Sequence, residues 1–251
     1  MANKHISKED IIYQYEQSHL YKLKKTMSDE QDEFVRSILT TPLVFSNSKA
    51  GTGKTLMAYA ALYYLKDIGV IDKIYYVFSP VEEGKMGFRP GTQQEKSLDY
   101  GAPIYNAITM LGENPYRETD EQSGSTTITS HTFLRGDTFE NCGVIIDESQ
   151  NFTTHELKKT LTRLSDTCHS VVIGHDGQID LHNRRSSGFS RYIDHFSELP
   201  EDKVKMINLT KNYRGWIASH ADDLPDDPGY SSLTVFTGGE AYAKGNYKAQ
   251  S

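Results

Sequence analysis

A segment near residue 50 has residue types and a spacing suited to holding the phosphates of a nucleotide. It reads Ser48-Lys49-Ala50-Gly51-Thr52-Gly53-Lys54-Thr55 and nearly matches the pattern G-x-x-x-x-G-K-[ST]. Gly51 and Gly53 allow the backbone to curl so that several N–H groups point at one anion. Lys54 is expected to reach the β- and γ-phosphates, and the Thr55 hydroxyl is expected to hold Mg²⁺. The segment therefore predicts binding of a nucleoside triphosphate, ATP, together with Mg²⁺.

Two acids and a glutamine form a second group further along the chain. Asp147, Glu148 and Gln150 follow an apolar run that is typical of a buried strand. By itself this group would be more typical of solvated acids at the end of a strand. In a parallel sheet, however, ligands gather at the carboxyl ends of the strands, where the phosphate-binding segment is also expected. There Asp147 would hold Mg²⁺ and Glu148 would polarise the attacking water, so the two groups together predict hydrolysis.

Short apolar strands that alternate with helical stretches are expected to position these groups. A helix over Leu56–Leu65 follows the phosphate-binding segment. Val81–Tyr100 is expected to be a long loop or a small insertion, and the polar stretch Gly112–Ser130 is expected to be mobile. This pattern predicts an α/β fold with a central parallel β-sheet and helices on both faces. The strands are expected at Pro42–Phe45, Lys73–Phe78, Cys142–Ile146, His169–Gly174 and Val204–Leu209.

Three segments are expected along the chain. Residues 1–40 are charged and predict a helical N-terminal extension, and residues 41–220 carry the strands of the nucleotide-binding domain. Residues 221–251 are rich in turn-forming residues, which predicts a loosely ordered C-terminal tail.

Composition excludes several classes of protein. The chain of 251 residues has 27 Lys and Arg against 34 Asp and Glu, so its formal net charge of -7 provides no general basic surface for nucleic acid. The two cysteines, Cys142 and Cys168, have no metal-ligand spacing and form no disulfide framework. The N-terminus lacks an apolar secretory core, and no apolar run is long enough for a membrane helix. We therefore expect a soluble cytoplasmic protein, in the host cytoplasm if a phage encodes it, with no membrane partner.

The chain resembles the PhoH family of bacteria and phages over residues 31–216. Asp147–Gln150 has the Asp-Glu-x-Gln form found in the ATPase cores of superfamily 1 helicases, to which the family is related. Three other stretches are similar to blocks of the family: Ser79–Lys96, Phe133–Asn141 and Gln178–Leu181 with Ser187-Gly188. The resemblance implies a RecA-like P-loop NTPase fold and hydrolysis of Mg·ATP.

The resemblance also implies roles for residues outside the two motifs. The Gln31 amide would pair with the adenine edge, although a solvated helical glutamine is nearly as well expected. Gln178 would sense the γ-phosphate, since its amide both donates and accepts hydrogen bonds. Arg214, within Asn212-Tyr213-Arg214, would stabilise charge on the transferring phosphoryl group, either in its own subunit or in a neighbour. Arg135 is a second candidate cation, and a structural ion pair is an equal expectation for it.

Three positions depart from the family's pattern. Ser48 stands where the loop pattern has its first glycine, which could cost the loop some freedom. Lys49 replaces the usual proline, and we expect it to be a solvated loop lysine rather than one sent into a partner's site. His175 replaces an aspartate, so either Asp176 substitutes from one position along or the aspartate's hydrogen bonds are lost.

Partners follow less directly from the residues. Because one nucleotide-binding domain cannot clamp ATP between tandem domains, we expect a homo-oligomer, with a hexameric ring as the leading form. The resemblance to helicase ATPase cores implies coupling to single-stranded RNA or DNA. Cations with interleaved aromatic residues suit such strands, although such clusters are more often solvated faces. The alternative is an ATP-dependent switch or assembly protein that translocates nothing. The nucleic-acid candidates are Arg184, Arg185 and Arg191 near Phe189 and Tyr192, and Tyr21 among Lys22, Lys24 and Lys25.

Overall fold

The computed structural model describes residues 6–18, 20, 23, 25–80, 93–134 and 138–222. The chain divides into two compact units, residues 1–214 and 215–251. The strands of the described chain all belong to the first unit, and the described part of the second unit contains one helix, Trp216–Asp222.

The sheet of the first unit has six strands, and all of its pairings are parallel. The strand order is β3-β2-β4-β5-β1-β6, so β5 lies between the strand that leads into the phosphate loop and the strand that leads into the two acids. Parallel strands bring their carboxyl ends to one edge of the sheet, and the phosphate loop and the two acids both lie at that edge. The strands are β1 Leu43–Asn47, β2 Lys73–Phe78, β3 Thr126–Ser130, β4 Cys142–Ile146, β5 His169–Gly174 and β6 Val204–Met206.

Helices cover both faces of this sheet. Along each central strand, successive side chains enter two different clusters of buried residues, because strand side chains alternate between faces. Val44 and Ile145 belong to the cluster beneath α1–α4, whereas Phe45 and Ile146 belong to the cluster that includes residues of α6 and α7. The helices are α1 Lys8–Gln17, α2 Asp29–Thr40, α3 Lys54–Asp67, α4 Gln93–Met110, α5 Pro115–Glu118, α6 Thr154–Leu161, α7 Phe189–Ser197 and α8 Trp216–Asp222. The expected α/β architecture, with a central parallel sheet and helices on both faces, is confirmed.

The helix that follows the phosphate loop is the most buried helix of the described chain. Residues 57–65 of α3 are all buried, and α3 packs between α2 and α4. A helix that is apolar on all sides is stable only inside a protein, which explains the run of alanine, leucine and tyrosine in this segment. Its burial fixes the start of α3, and therefore the loop that precedes it.

Regular structure lies in two segments for which no helix or strand was predicted, and residues 81–92 of the first segment lie outside the described residues. Residues 93–110 form α4, whose buried Ile104, Ala107 and Ile108 have helical spacing. Its polar N-terminal half concealed this pattern in the sequence. Thr126–Ser130 forms β3 at the edge of the sheet, where β-branched threonines suit a strand with one paired side. The predicted last strand is shorter than expected, because it ends at Met206 rather than at Leu209.

Among the residues described, no helix combines the length and the apolar character that a membrane crossing requires.

Candidate nucleotide site

Gly51 and Gly53 give the loop between β1 and α3 its curvature. Their φ angles are 80° and 86°, in the left-handed region that glycine adopts without a steric penalty. Gly53 caps α3 and provides no side-chain hydrogen bond to the helix. No side chain of the cap residue competes with an anion at the start of α3, and the helix dipole adds positive potential at the same place.

Ser48, which replaces the first glycine of the pattern, does not adopt a positive φ. Its hydroxyl is buried, accepts a hydrogen bond of 2.7 Å from the N–H of Leu209 and shares one of 2.8 Å with Ser46 Oγ. The serine therefore carries no strain of the kind that requires glycine. It instead fixes the loop to the segment that follows β6.

Lys54 lies within the curve of the loop. Its ammonium group donates to the carbonyl oxygens of Ser48 and Lys49, the latter at 2.9 Å. The Lys49 side chain is exposed, and its carbonyl also accepts from Thr52 Oγ1 at 3.1 Å. The charge of Lys54 is thus held beside the backbone N–H groups that are expected to bind phosphate.

Two hydroxyl groups converge on one carboxylate oxygen of Asp147. Thr55 Oγ1 donates to Asp147 Oδ2 at 2.9 Å, and the hydroxyl of Tyr76 donates to the same oxygen at 2.9 Å. Asp147 is only 2% exposed. Burial and the neighbouring charge of Glu148 raise the pKa of Asp147 to about 6, while the hydrogen bonds to its carboxylate oppose that shift.

This pair of oxygen donors suits Mg²⁺. A carboxylate and a hydroxyl are hard oxygen ligands, and Mg²⁺ at phosphate sites is held by one or two protein groups together with substrate phosphates. Within the described ranges no group of three or more His, Cys, Asp and Glu side chains is placed to hold a metal ion. Thr55 and Asp147 therefore fit the metal role predicted for them.

Glu148 occupies an unusual backbone position directly after β4. Its φ is 49°, in the left-handed region that non-glycine residues rarely adopt, and its N–H donates to Asp147 Oδ1 at 2.8 Å. Its side chain is exposed and accepts a hydrogen bond of 2.6 Å from Gln150 Nε2. The turn thus directs the two acids differently, with Asp147 buried and Glu148 open to solvent.

The Gln150 amide joins this turn to the loop after β5. Besides Glu148, its Nε2 donates to the carbonyl of Gln178 at 3.2 Å, and its Oε1 accepts the N–H of His175 at 2.9 Å. His175 and Gln178 are thus held through their backbone groups, and the Gln178 side chain lies exposed. Asp176, also exposed, donates its N–H to Asn47 Oδ1 at 3.2 Å. Backbone hydrogen bonds therefore order this loop although His175 replaces the family's aspartate.

The segment of residues 207–214, here called the strap, runs along the phosphate loop. The N–H of Tyr213 donates to the carbonyl of Gly51 at 2.9 Å. A Cβ on Gly51 would lie 2.7 Å from Cγ of Arg214 and 2.7 Å from Oδ1 of Asn212, so only glycine fits beneath the strap. The aliphatic part of Arg214 therefore packs on the loop of its own chain.

Gln31, in the first turn of α2, also contacts the loop. Its Nε2 donates to the carbonyl of Thr52 at 2.9 Å, and its Oε1 accepts from the N–H of Ser28 at 3.1 Å and the hydroxyl of Tyr213 at 3.2 Å. The structure therefore brings Gln31, the loop, Asp147, Glu148, Gln178 and Arg214 together at one edge of the sheet.

The candidates for nucleic-acid contact are more dispersed. Arg184, Arg185 and Arg191 are exposed, but Phe189 is fully buried in the core and offers no surface for stacking a base. Tyr192 is half-buried against the same core cluster. Arg135, Tyr21, Lys22 and Lys24 lie outside the described residues.

Two site residues were missed by reasoning from the sequence. Tyr76 is a tyrosine in a central strand, and a buried tyrosine hydroxyl requires a polar partner, which was the available signal. Tyr213 lies directly before the candidate catalytic Arg214, and an aromatic residue in that place was the available signal for a contact with the loop.

Comparison with known proteins gives a consistent result. A model of the family "PhoH-like protein" matches residues 24–221. The chain is 35% identical over 186 residues to a PhoH-like protein of Bacillus subtilis, covering 74% of this chain and 57% of the relative. It is 34% identical over 192 residues to protein PhoH2 of the same organism, a match that covers 73% of this chain and 43% of the relative. It is 33% identical over 190 residues to protein PhoH of Escherichia coli K12, a match that covers 73% of this chain and 52% of the relative. The chain thus spans about half the length of these relatives.

Among solved structures, the chain is similar to the Pif1 helicase from Candida albicans. The TM-score is 0.40 at 19% identity, and the match covers 75% of this chain and 40% of that one.

Proposed function

The chain belongs to the PhoH-like protein family, and we propose that it is a Mg²⁺-dependent ATPase. One observation carries this proposal: the hydrogen bond of 2.9 Å between Thr55 and Asp147. It joins the start of the helix after the phosphate loop to the end of the acidic strand. The two motifs predicted to share a site therefore meet at the atoms that would share the metal ion.

The arrangement assigns a task to each group. The N–H groups of the loop and the start of α3 bind the phosphate chain, and Lys54 exchanges the carbonyls of Ser48 and Lys49 for phosphate oxygens. Thr55 and Asp147 would hold Mg²⁺, and the ion would supply positive charge that offsets the charge of the phosphate chain.

The remaining groups act on the attacking water and the transferring phosphoryl group. Glu148 accepts a hydrogen bond from the water and orients it, while Gln150 holds the Glu148 carboxylate in place. Gln178 senses the γ-phosphate, and Arg214 stabilises the charge of the transition state.

Coupling to single-stranded RNA or DNA is the second part of the proposal. Its support is the exposed group of Arg184, Arg185 and Arg191 beyond β5, together with the family's relation to helicase ATPase cores. A homo-oligomer, with a hexameric ring as the leading form, follows from the need to close an ATP site carried on one domain. We place this activity in the cytoplasm.

Phosphate release tests the proposal. We would compare the wild type, Lys54→Ala and Glu148→Gln, each with and without single-stranded RNA and single-stranded DNA at low salt. Lys54→Ala is expected to weaken ATP binding, whereas Glu148→Gln is expected to bind ATP and turn it over at least about 100-fold more slowly. Wild-type rates in both variants would refute the assignment of the site.

The same measurement separates the two candidate functions. Stimulation of turnover by either nucleic acid supports coupling. Turnover that no nucleic acid changes, combined with an ATP-dependent change of mass in light scattering, favours the switch or assembly protein instead.

A further inference from the structure

The Gln31 amide is engaged by the protein at the atoms that would read a base. Its Oε1 accepts two hydrogen bonds, from the N–H of Ser28 and the hydroxyl of Tyr213, and its Nε2 donates to the carbonyl of Thr52. The side chain is 5% exposed. Reading adenine would require the oxygen to accept from the exocyclic amino group while the nitrogen donates to a ring nitrogen. Both acceptor positions of Oε1 are already used.

Hydrogen bonds to the carbonyl groups of the loop determine instead how its peptide N–H groups are oriented. In a trans peptide the C=O and the following N–H point in opposite directions. Gln31 holds the carbonyl of Thr52, so the N–H of Gly53 points away from Gln31. The strap holds the carbonyl of Gly51 through the N–H of Tyr213, so the N–H of Thr52 points away from the strap.

Close packing supports this reading. Thr52 is fully buried, and a Cβ on Gly53 would lie only 2.9 Å from Nε2 of Gln31. The amide therefore fills the space directly behind the loop. An amide in that place contacts the phosphate-binding backbone, and its hydrogen-bonding atoms are engaged there.

We propose that Gln31 is a positioning residue of the phosphate loop and does not read the base, an inference that rests on the proposed nucleotide function. Its loss then weakens binding of the phosphate chain whatever base is attached. Gln31 therefore supports the binding of any polyphosphate ligand, including a polyphosphate that carries no base.

The test measures the affinity of ATP, GTP and inorganic tripolyphosphate for the wild type, Gln31→Ala and Gln31→Glu by calorimetry. Glutamate keeps an oxygen for Ser28 and Tyr213 but has no N–H for Thr52. Both variants are therefore expected to lose about 5- to 10-fold in affinity for all three ligands, the effect of one hydrogen bond that orders a buried carbonyl. The ratio of the ATP and GTP affinities should not change.

Ser28→Ala separates positioning from helix capping. Ser28 Oγ accepts the N–H of Gln31 in the capping box of α2, so its loss lowers the melting temperature by about 2–4 °C. The bond from Gln31 to Thr52 remains, and ligand affinities should change less than 2-fold. Gln31→Glu should keep more of the wild-type melting temperature than Gln31→Ala and still bind as weakly.

Each possible set of affinities either supports or overturns the positioning role of Gln31. Equal losses for the three ligands, with no recovery in Gln31→Glu, support the inference. A loss confined to ATP, or no loss for any ligand, overturns it and leaves the ATPase proposal standing. A wild type that binds none of the three ligands overturns the proposed function, and this inference with it.

Discussion

Gln150 Nε2 lies 2.6 Å from Glu148 Oε2, and the amide oxygen of the same glutamine accepts the N–H of His175. One side chain thus connects the carboxylate expected to orient water with the loop that follows β5. A movement of that loop, which also carries Gln178, would be transmitted to Glu148 through a single amide.

Gln150→Ala is therefore expected to impair turnover more than binding. Without the amide, Glu148 is free to rotate in solvent, and we expect kcat to fall about 10- to 100-fold while the KM for ATP changes less than 3-fold. Gln122→Ala, on an exposed turn, is the matched control and should leave both constants unchanged. A rise in KM at constant kcat would assign Gln150 to substrate binding instead.

Tyr76→Phe is expected to raise the Mg²⁺ concentration needed for half-maximal turnover by several-fold. The hydroxyl is one of two that orient Asp147, and its loss leaves Thr55 as the one side-chain donor to this carboxylate among the described residues. Tyr59→Phe is the control, because it also removes a buried hydroxyl, one bonded to Thr126 at 3.1 Å. Both variants should lose similar stability to urea, and an equal Mg²⁺ requirement in the two would contradict the role given to Tyr76.

The raised pKa of Asp147 predicts that this residue makes the metal-free protein less stable as the pH rises. The folded pKa is about 6 and the ordinary value is 3.8, so between these pH values the folded state holds more protons than the unfolded state. Stability from this group is thus fully present below about pH 3.8 and is lost as the pH rises to about 6, by up to about 3 kcal/mol. Urea unfolding of the wild type and Asp147→Asn at several pH values measures the difference. If the gap between the two proteins does not change with pH, the carboxyl group is not perturbed.

Ser48→Gly, which restores the glycine of the loop pattern, is expected to destabilise the protein. The buried N–H of Leu209 would lose its acceptor, a loss of about 1–3 kcal/mol, and glycine would gain nothing because φ at this position is not positive. The control is Ser123→Ala, at an exposed position. Ser197→Gly would not serve, because Ser197 lies in a helix, where glycine is itself destabilising. Denaturant unfolding gives the free energies, and a Ser48→Gly variant as stable as the wild type would refute the role of the hydroxyl.

Arg214 is expected to act in its own subunit. Its stem packs on Gly51 of the same chain, so a subunit without Arg214 has a damaged site even beside an intact neighbour. Mixtures of Lys54→Ala and Arg214→Ala should therefore show no more turnover than the two proteins measured separately. Restored turnover in the mixture would show that the arginine crosses to a neighbouring site.

Much of this architecture could be predicted because the sequence carries local signals for it. Gly51, Gly53 and the apolar run before Asp147 each impose their structure through neighbours in the chain, so the loop, the acidic turn and the parallel sheet followed from periodicity and turn chemistry. The roles of Tyr76 and Gln31 could not be predicted in the same way. Their partners lie on other strands and loops, and which hydroxyl meets which carboxylate depends on the order of strands that no local pattern specifies. The edge strand β3 was missed for a related reason, since its polar threonines lack the apolar signal of the central strands.

The strap has a consequence for how the protein folds. Ser48 and Leu209 are 161 residues apart in the chain, and Gln31 and Tyr213 are 182 residues apart, yet both pairs are hydrogen-bonded around the loop. Contacts of such long range form late, because the entropy of closing the intervening chain must first be overcome. During synthesis the phosphate loop emerges early but lacks its outer support until residues beyond 206 have left the ribosome. A nascent chain would then acquire nucleotide affinity only as the strap docks on the loop, which makes ATP binding a reporter of that docking.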